Sequence, residues 1–313
     1  MRALVATGGG DLVSLGEVKP PNPGHDHVLV DVRAVSINRG EWRRLLDATA
    51  GWRPGWDFAG VVVRTGRSRR TPAPGSRVFG VSLGGSWAEQ VSVPANQLTL
   101  LPDGISWIQA ASLPVAGLTA LRVLRLRQEL DGRSVLVTGA AGGVGRFAVQ
   151  LARHAGAKVT ALVGRSERAA GAEALGAHEV RVGTHDLDPA FDLVLESVGG
   201  DSLREGIRLV APGGTVVTFG NSSRAETSFM VSDFYPKQAV LRGYFLLDDV
   251  VRYPPADDLA YLAELLVKGE LRADIDFVAD WLDAPAALRH LQSRPAGKIV
   301  LEVSSPGIRR DHG

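Results

Sequence analysis

Over roughly the first 95 residues the apolar positions fall in short runs that glycine and proline cut apart. Arg2 to Val5, Leu12 to Leu15 and Val28 to Ile37 read as strands, separated by Gly8 to Gly10 and by the turn cluster Pro20 to Gly24. Gly60 to Arg64, Arg77 to Val81 and Ala88 to Val93 continue the same β pattern. From about Ile108 the spacing turns helical, through Ala110, Leu113, Leu118, Leu121, Leu124 and Leu126. Strands then alternate with helices. Lys158 to Val163, Val180 to Val182, Phe191 to Glu196, Thr215 to Phe219 and Leu241 to Leu246 read as strands, Arg168 to Leu175 and Asp201 to Leu209 as helices. The alternation predicts an α/β protein with a doubly wound parallel sheet of about six strands behind a β-rich N-terminal region. The tail adds a helix at Asp257 to Lys268, a strand near Ile275 to Ala279, a helix at Ala284 to Leu291 and a strand at Lys298 to Val303. These pieces are expected to return to the first domain, giving one domain of 1–120 with 256–313 and another of 121–255.

At the join lies Arg133 to Gly145, RSVLVTGAAGGVG. Ser134 to Thr138 is an apolar, β-branched run suited to a strand buried on both faces. The small residues after it lead into a helical pattern at Phe147, Val149, Leu151 and Ala152. Gly139, Gly142 and Gly145 fall three apart, and from Ala140 the spacing is Ala-x-Gly-x-x-Gly. Glycines at such a turn permit a tight reversal, close approach of backbone to a pyrophosphate, and close helix–strand packing. The helix N-terminus then turns free N–H groups toward a phosphate. A strand before and a helix after the triplet point to dinucleotide binding.

Cofactor preference is read about twenty residues beyond the glycines, where a carboxylate holds a ribose 2′-hydroxyl and an arginine accommodates a 2′-phosphate. Here the chain reads Val163-Gly164-Arg165-Ser166, with Arg168 nearby and no carboxylate before Glu167. A guanidinium pairs well with a phosphate dianion, which favours NADPH. Arg165 and Arg168 also suit a solvated helix start, which would leave the preference open.

Composition narrows the classes. At 313 residues the chain suggests about two domains, and 45% hydrophobic with 22% charged residues is ordinary for a globular protein. A net charge of +1 gives no general case for nucleic acid or a membrane surface. The local group Arg64, Arg67, Arg69 and Arg70 reads as a solvated loop. There is no cysteine, which removes disulfides, thiolate zinc sites and cysteine nucleophiles. The first fifteen residues hold no extended apolar core and no run approaches membrane-spanning length, so a cytoplasmic protein is expected.

The residues spread along the chain complete the picture: Ser36-Ile37-Asn38, Pro54-Gly55-Trp56-Asp57-Phe58-Ala59-Gly60, Gly75-Ser76-Arg77-Val78, Ala111-Ser112-Leu113-Pro114 and Ala116-Gly117-Leu118-Thr119-Ala120. Ala140 to Gly145, Glu196-Ser197-Val198-Gly199-Gly200, Gly220-Asn221-Ser222-Ser223 and Gly297-Lys298-Ile299-Val300-Leu301 come after these in order. Over nearly its full length the chain resembles the zinc-independent branch of the medium-chain dehydrogenase/reductase superfamily, the quinone oxidoreductase-like proteins and related polyketide enoyl reductases. The resemblance implies a GroES-like β-rich domain plus a Rossmann domain. Zinc-using relatives carry a cysteine at the place of Asn38 and a histidine at that of Trp56, and neither Asn nor Trp is a zinc ligand. The resemblance therefore implies no metal, and an acceptor that takes hydride without Lewis-acid help: a quinone, or a carbon–carbon double bond activated by a carbonyl.

By matched position, the resemblance implies that Asn38 and Thr119 contact the nicotinamide and its ribose as the catalytic pair. Gly142, Gly143, Val144 and Gly145 would take the pyrophosphate and Gly164, Arg165 and Ser166 surround the adenosine 2′-phosphate, with Gly139, Ala141 and Arg168 also among the cofactor-binding residues. Ser197, Val198, Gly220, Asn221 and Ser222 would line the cofactor further along. Trp42, Arg43, Trp52 and Trp56 are placed around the substrate, where indoles suit a flat aromatic acceptor, with Phe234 and Tyr235 closing the pocket from the other domain. Asn38 also reads as a turn residue and Thr119 as a satisfied helix threonine; Asp57 reads as a structural hydrogen-bond acceptor and Lys298 as an ordinary strand lysine. Arg43 or Arg44 would steady a developing oxyanion. The proton donor stays open, since Tyr235, Tyr244, Tyr253 and Tyr261 all lie beyond the glycine turn. Three functions stand: an NADPH-dependent quinone reductase; an enoyl reductase of thioesters or enones; and an NADPH-binding sensor or RNA-binding protein with little turnover. The resemblance also implies a homodimer, with the strand around Arg242 to Leu246 pairing with its copy.

Overall fold

The computed structural model describes residues 1–66, 71–169, 171–184, 187–188 and 190–304. The chain divides into two units, Met1–Val115 with Val250–Gly269 and Ile275–Gly313, and Ala116–Asp249 with Glu270–Asp274. Arg67, Arg69 and Arg70 lie outside the described residues. Among those described, no helix is long and apolar enough to cross a membrane.

The first unit holds β1 (Arg2–Ala6), β2 (Val13–Glu17), β3 (His27–Ile37), β4 (Asp57–Thr65), β5 (Arg77–Val81), β6 (Gln90–Pro94) and β7 (Leu98–Leu100). The second holds β8 (Ser134–Thr138), β9 (Lys158–Val163), β10 (Glu179–Val182), β11 (Phe191–Glu196), β12 (Val210–Thr218) and β13 (Val240–Gly243). The chain then gives the first unit β14 (Ile275–Asp280) and β15 (Lys298–Glu302).

In the first unit β1 and β2 form a hairpin, and a seven-stranded sheet runs β14-β15-β3-β4-β5-β7 with β6 also on β3. The long β3 is central and almost wholly buried. Its register decides which polar side chains meet at its end. β15 runs antiparallel to it with Ile299 opposite Ile37, so Lys298 arrives beside Asn38. β4 pairs Ala59 with Ala34, so Asp57 arrives beside Ser36. Phe58, Trp87 and Trp281 fill the core beneath.

Asn38 ends β3 and starts α1 (Arg39–Leu46), whose third residue, Glu41, reaches back to accept a hydrogen bond from the Asn38 backbone N–H at 2.7 Å. This Asn-x-x-Glu arrangement is a helix-start signature. After α1 come α2 (Trp107–Ser112) and α3 (Pro114–Arg125).

The second unit is a six-stranded parallel sheet in the order β10-β9-β8-β11-β12-β13. The direction of winding reverses at β8, and ligands of such sheets bind at the carboxyl ends of the strands flanking that reversal. α4 (Gly143–His154) and α5 (Asp201–Leu209) follow β8 and β11. Two expectations fail here. Among the described residues, Arg168 to Leu175 gives no α-helix but parts of two short 3-10 turns, Ser166–Arg168 and Glu173–Leu175; Gly171 takes positive φ between them, and Gly176, also at positive φ, ends the second. The predicted strand to Leu246 stops at Gly243, and Leu246–Arg252 is α6. The remaining helices are α7 (Ala256–Val267) and α8 (Ala284–Gln292).

Candidate functional site

Two groups of residues stand out, one in each unit. In the second, the turn from β8 into α4 has the build of a phosphate cradle. Gly139 takes φ of +57°, and a Cβ there would meet the Ser197 Oγ at 2.8 Å. A Cβ on Gly145 would run into the Gly139 carbonyl oxygen and lie 2.7 Å from the Ala140 Cα. Gly142 is the cap of α4 and its N–H donates to the Gly139 carbonyl at 2.9 Å. Gly143 and Val144 form the first turn, partly exposed, with no acidic side chain in that turn to compete with an anion. Ala141 is buried under the turn.

The ends of β11 and β12 close on the same place. Buried Glu196 accepts from the Thr138 hydroxyl at 3.2 Å and from the Val198 and Gly199 N–H groups, while the Ser197 N–H donates to the Thr138 oxygen at 3.1 Å. The Ser222 N–H donates to the Ser197 carbonyl at 3.1 Å, and a Cβ on Gly220 would lie 2.9 Å from that carbonyl. The Asn221 side chain accepts the Arg224 N–H at 3.0 Å, closing its own turn. Sequence reasoning thus gathered Gly139 to Gly145, Ser197, Val198, Gly220, Asn221 and Ser222 from three strands, and the fold brings them together.

At the end of β9, Gly164, Arg165 and Ser166 are exposed, with Arg168 partly buried and the space at the Gly164 Cα open. Thr119 is buried on α3. Phe234 is partly buried and packs against the apolar core of the second unit, as Leu203 and Ala239 do, and meets Phe229 edge-on at 6.1 Å, whereas Tyr235 is exposed. The Tyr244 hydroxyl donates to Asp249 at 2.8 Å, where Arg122 also binds at 2.6 Å, and burial followed by that carboxylate pushes the phenol well up. Such a phenol holds its proton rather than giving it.

In the first unit a buried polar cluster surrounds Asn38. The carboxamide Nδ2 donates to Asp57 Oδ2 at 2.7 Å and to Glu41 Oε2 at 3.2 Å, and Oδ1 accepts from Lys298 Nζ at 2.7 Å. Asp57 also accepts from the Ser36 hydroxyl and from the Val115 N–H at 2.7 Å, with Lys298 Nζ 3.5 Å away. Glu41 accepts from the Trp56 N–H at 2.6 Å. Glu41 and Asp57 are fully buried and Lys298 is 3% exposed. Burial, and then the Asp57 charge, push the Glu41 carboxyl up to about 8; the N–H donors and Lys298 pull the other way without prevailing.

Lys298 is therefore no ordinary strand lysine, and Glu41 was missed altogether. Both left a mark in the sequence: Glu41 sits three residues after Asn38 at a helix start, and Lys298 opens the apolar run Ile299-Val300-Leu301. Asp57 is the structural acceptor it was read to be.

The aromatic residues divide. Trp56 packs against Gly40, where a Cβ would meet the ring at 2.6 Å, and the Arg44 guanidinium lies 5.8 Å from the Trp52 ring and 6.0 Å from the Trp56 ring. Trp42 packs against the core, and its indole N–H and that of Trp56 are buried without a partner among the described residues. Arg43 is half-buried on the same helix.

Comparisons with known proteins agree with this architecture. The family model Alcohol dehydrogenase GroES-like domain matches residues 24–103, and the model Zinc-binding dehydrogenase matches residues 143–266. Quinone-oxidoreductase QR1, chloroplastic, of Triphysaria versicolor is 30% identical, covering 96% of this chain and 98% of its own. Spectinabilin polyketide synthase system protein NorB of Streptomyces orinoci is 36% identical over 91% of this chain, which spans 13% of NorB's length. The Escherichia coli quinone oxidoreductase structure, complexed with NADPH, superposes with a TM-score of 0.86 at 25% identity, covering 97% of this chain and 100% of that one. On these matches the chain belongs to the zinc-independent, quinone oxidoreductase-like family of medium-chain dehydrogenases/reductases.

Proposed function

We propose that this protein is an NADPH-dependent, metal-independent reductase whose acceptor is a quinone or a quinone-like activated compound. The observation that carries the proposal is the glycine turn at the winding reversal of the parallel sheet, where Cβ atoms at Gly139 and Gly145 would collide with Ser197 and with the Gly139–Ala140 backbone, so that only glycine lets the turn close this tightly at the start of α4. NADPH, when bound, supplies the hydride. The chain's own part is to hold it: α4 and its glycines take the pyrophosphate, Arg165 with Ser166 and Arg168 the 2′-phosphate, and Ser197, Val198, Asn221 and Ser222 the remainder. Asn38 and Thr119 orient the nicotinamide end, and Trp42, Trp52 and Trp56 favour a flat acceptor.

A second reading, reduction of an α,β-unsaturated thioester or enone, is favoured by the polyketide synthase relative. The deciding experiment is NADPH oxidation by the purified protein with a polycyclic 1,4-quinone and a short enoyl thioester in parallel. Turnover of the quinone supports the first reading and turnover of the thioester alone the second. NADPH binding without oxidation by either would leave a binding protein. The protein is further proposed to be a cytoplasmic homodimer.

A further inference from the structure

The Asn38 carboxamide is held between a carboxylate and an ammonium, with a second, raised carboxyl alongside, and the two opposite charges fix which way it faces. Its Nδ2 lies 2.7 Å from the Asp57 carboxylate and 3.2 Å from the Glu41 carboxyl, and its Oδ1 lies 2.7 Å from the Lys298 ammonium. Turned over, the amide would set its oxygen against the Asp57 carboxylate and its N–H groups against the Lys298 ammonium, losing the hydrogen bonds to both charged neighbours. An amide nitrogen carries two hydrogens, and here both have buried acceptors.

We propose that Lys298 and Asp57 are positioning residues that lock Asn38 with both N–H hydrogens turned inward, so that Asn38 serves the reaction as a hydrogen-bond acceptor through Oδ1 and not as a donor to a developing oxyanion. The inference rests on the reading of Asn38 as a residue that meets the bound cofactor. It explains why a lysine is kept at the mouth of an apolar strand: the register of β15 on β3 delivers it to Asn38 and, among the charged side chains described, to Asp57. It also restricts what Asn38 can hold. A hydroxyl or amide N–H of the ligand fits its oxygen edge; an enolate or hydroquinone oxygen does not.

Three variants test this, each followed by thermal unfolding, NADPH titration by fluorescence, and separate kcat and KM for the acceptor. Lys298→Met frees the amide and is expected to lower kcat/KM about ten- to a hundredfold, the scale on which small misplacements act, with NADPH binding weakened; Lys298→Arg should recover most of both. The double variant Asn38→Asp with Asp57→Asn exchanges carboxamide and carboxylate. It conserves charge and the bond between the two positions while leaving only acceptor oxygens at position 38. An acceptor role predicts that this exchange keeps turnover within about tenfold, whereas loss of an oxyanion donor costs about a hundred- to a thousandfold.

A folded Lys298→Met protein with unchanged NADPH affinity and kinetics, or a folded exchange variant with intact NADPH binding and the larger loss, overturns the proposal. If the exchange variant does not fold, the Lys298 pair decides. If the wild-type protein binds NADPH but reduces neither acceptor, the reductase reading falls. The positioning role is then judged on affinity alone: weakening in Lys298→Met with recovery in Lys298→Arg sustains it, and no change ends it.

Discussion

At the scale of single residues, charge burial is the dominant fact. Glu41, Asp57 and Lys298 place two carboxyls and one ammonium in a region closed to water. One ammonium balances one carboxylate, and the other carboxyl reduces the cost by keeping its proton, which is why Glu41 is pushed up to about 8 from the ordinary 4.5. A group whose folded value is raised binds a proton more tightly when folded. Its contribution to stability is complete below about pH 4.5 and is lost as pH rises through about 8, by up to about 1.4 kcal/mol per pH unit. Glu41→Gln removes the titration, so its stability relative to wild type should improve from about pH 5 to about pH 8 and level off above that. Unfolding midpoints of the two proteins that run parallel over that range would show that Glu41 does not titrate there. Arg165 is exposed, and in the proposed reading it serves the cofactor phosphate rather than the fold. Arg165→Ala should weaken NADPH about ten- to a hundredfold, the worth of a charge-assisted hydrogen bond, and leave NADH nearly unchanged. Equal effects on both dinucleotides would remove the phosphate-binding role.

At the scale of elements, the turn between β8 and α4 shows how far a sequence can be read. Its three glycines, the buried strand before it and the helix after it are all local signals, and all were legible. The two glycines at 145 and 164 now separate by environment. A Cβ on Gly145 meets backbone of Gly139 and Ala140, whereas one on Gly164 meets nothing within 4 Å. Gly145→Ala should therefore destabilise by about 1–3 kcal/mol, the usual cost of overpacking, and lose NADPH binding. Gly164→Ala should keep its unfolding midpoint. Comparable midpoints for the two variants would mean that the close packing of α4 on β8 is not needed.

What was not legible is equally physical. The Asn38 cluster draws on residues 38, 41, 57 and 298, and only strand register brings Lys298 to Asn38 across 260 positions of chain. A lysine at the start of an apolar run has the same sequence whether it reaches water or a buried amide. The segment 168–175 failed for a different reason. Its alanines and leucine fit a helix by spacing, but Gly171 adopts left-handed backbone inside it and Gly176 caps its end in the same conformation.

At the scale of the whole molecule, the six-stranded sheet ends on two unlike edges. β10 carries Glu179 and Arg181, paired with each other at its surface, and charged side chains of this kind keep a strand edge from accepting another chain. β13 bonds to β12 on one side, and all four of its residues are exposed, with Val240 at 51% and Leu241 at 40%. Phe245, just beyond it, is 67% exposed. An edge that presents unpaired backbone groups beside apolar side chains is a liability in an isolated chain and an asset in a two-fold pair, where each copy covers the other's edge. The proposed homodimer would close at this strand. Leu241→Lys puts a charge, and in a two-fold pair its symmetry mate, onto that edge without touching the glycine cradle or the Asn38 cluster. Sedimentation should show the wild-type protein at twice its chain mass and the variant at the chain mass, with NADPH binding retained by both. A wild-type protein that sediments as a single chain at working concentrations would remove the dimer, and would leave Val240, Leu241 and Phe245 as an apolar patch still to be accounted for.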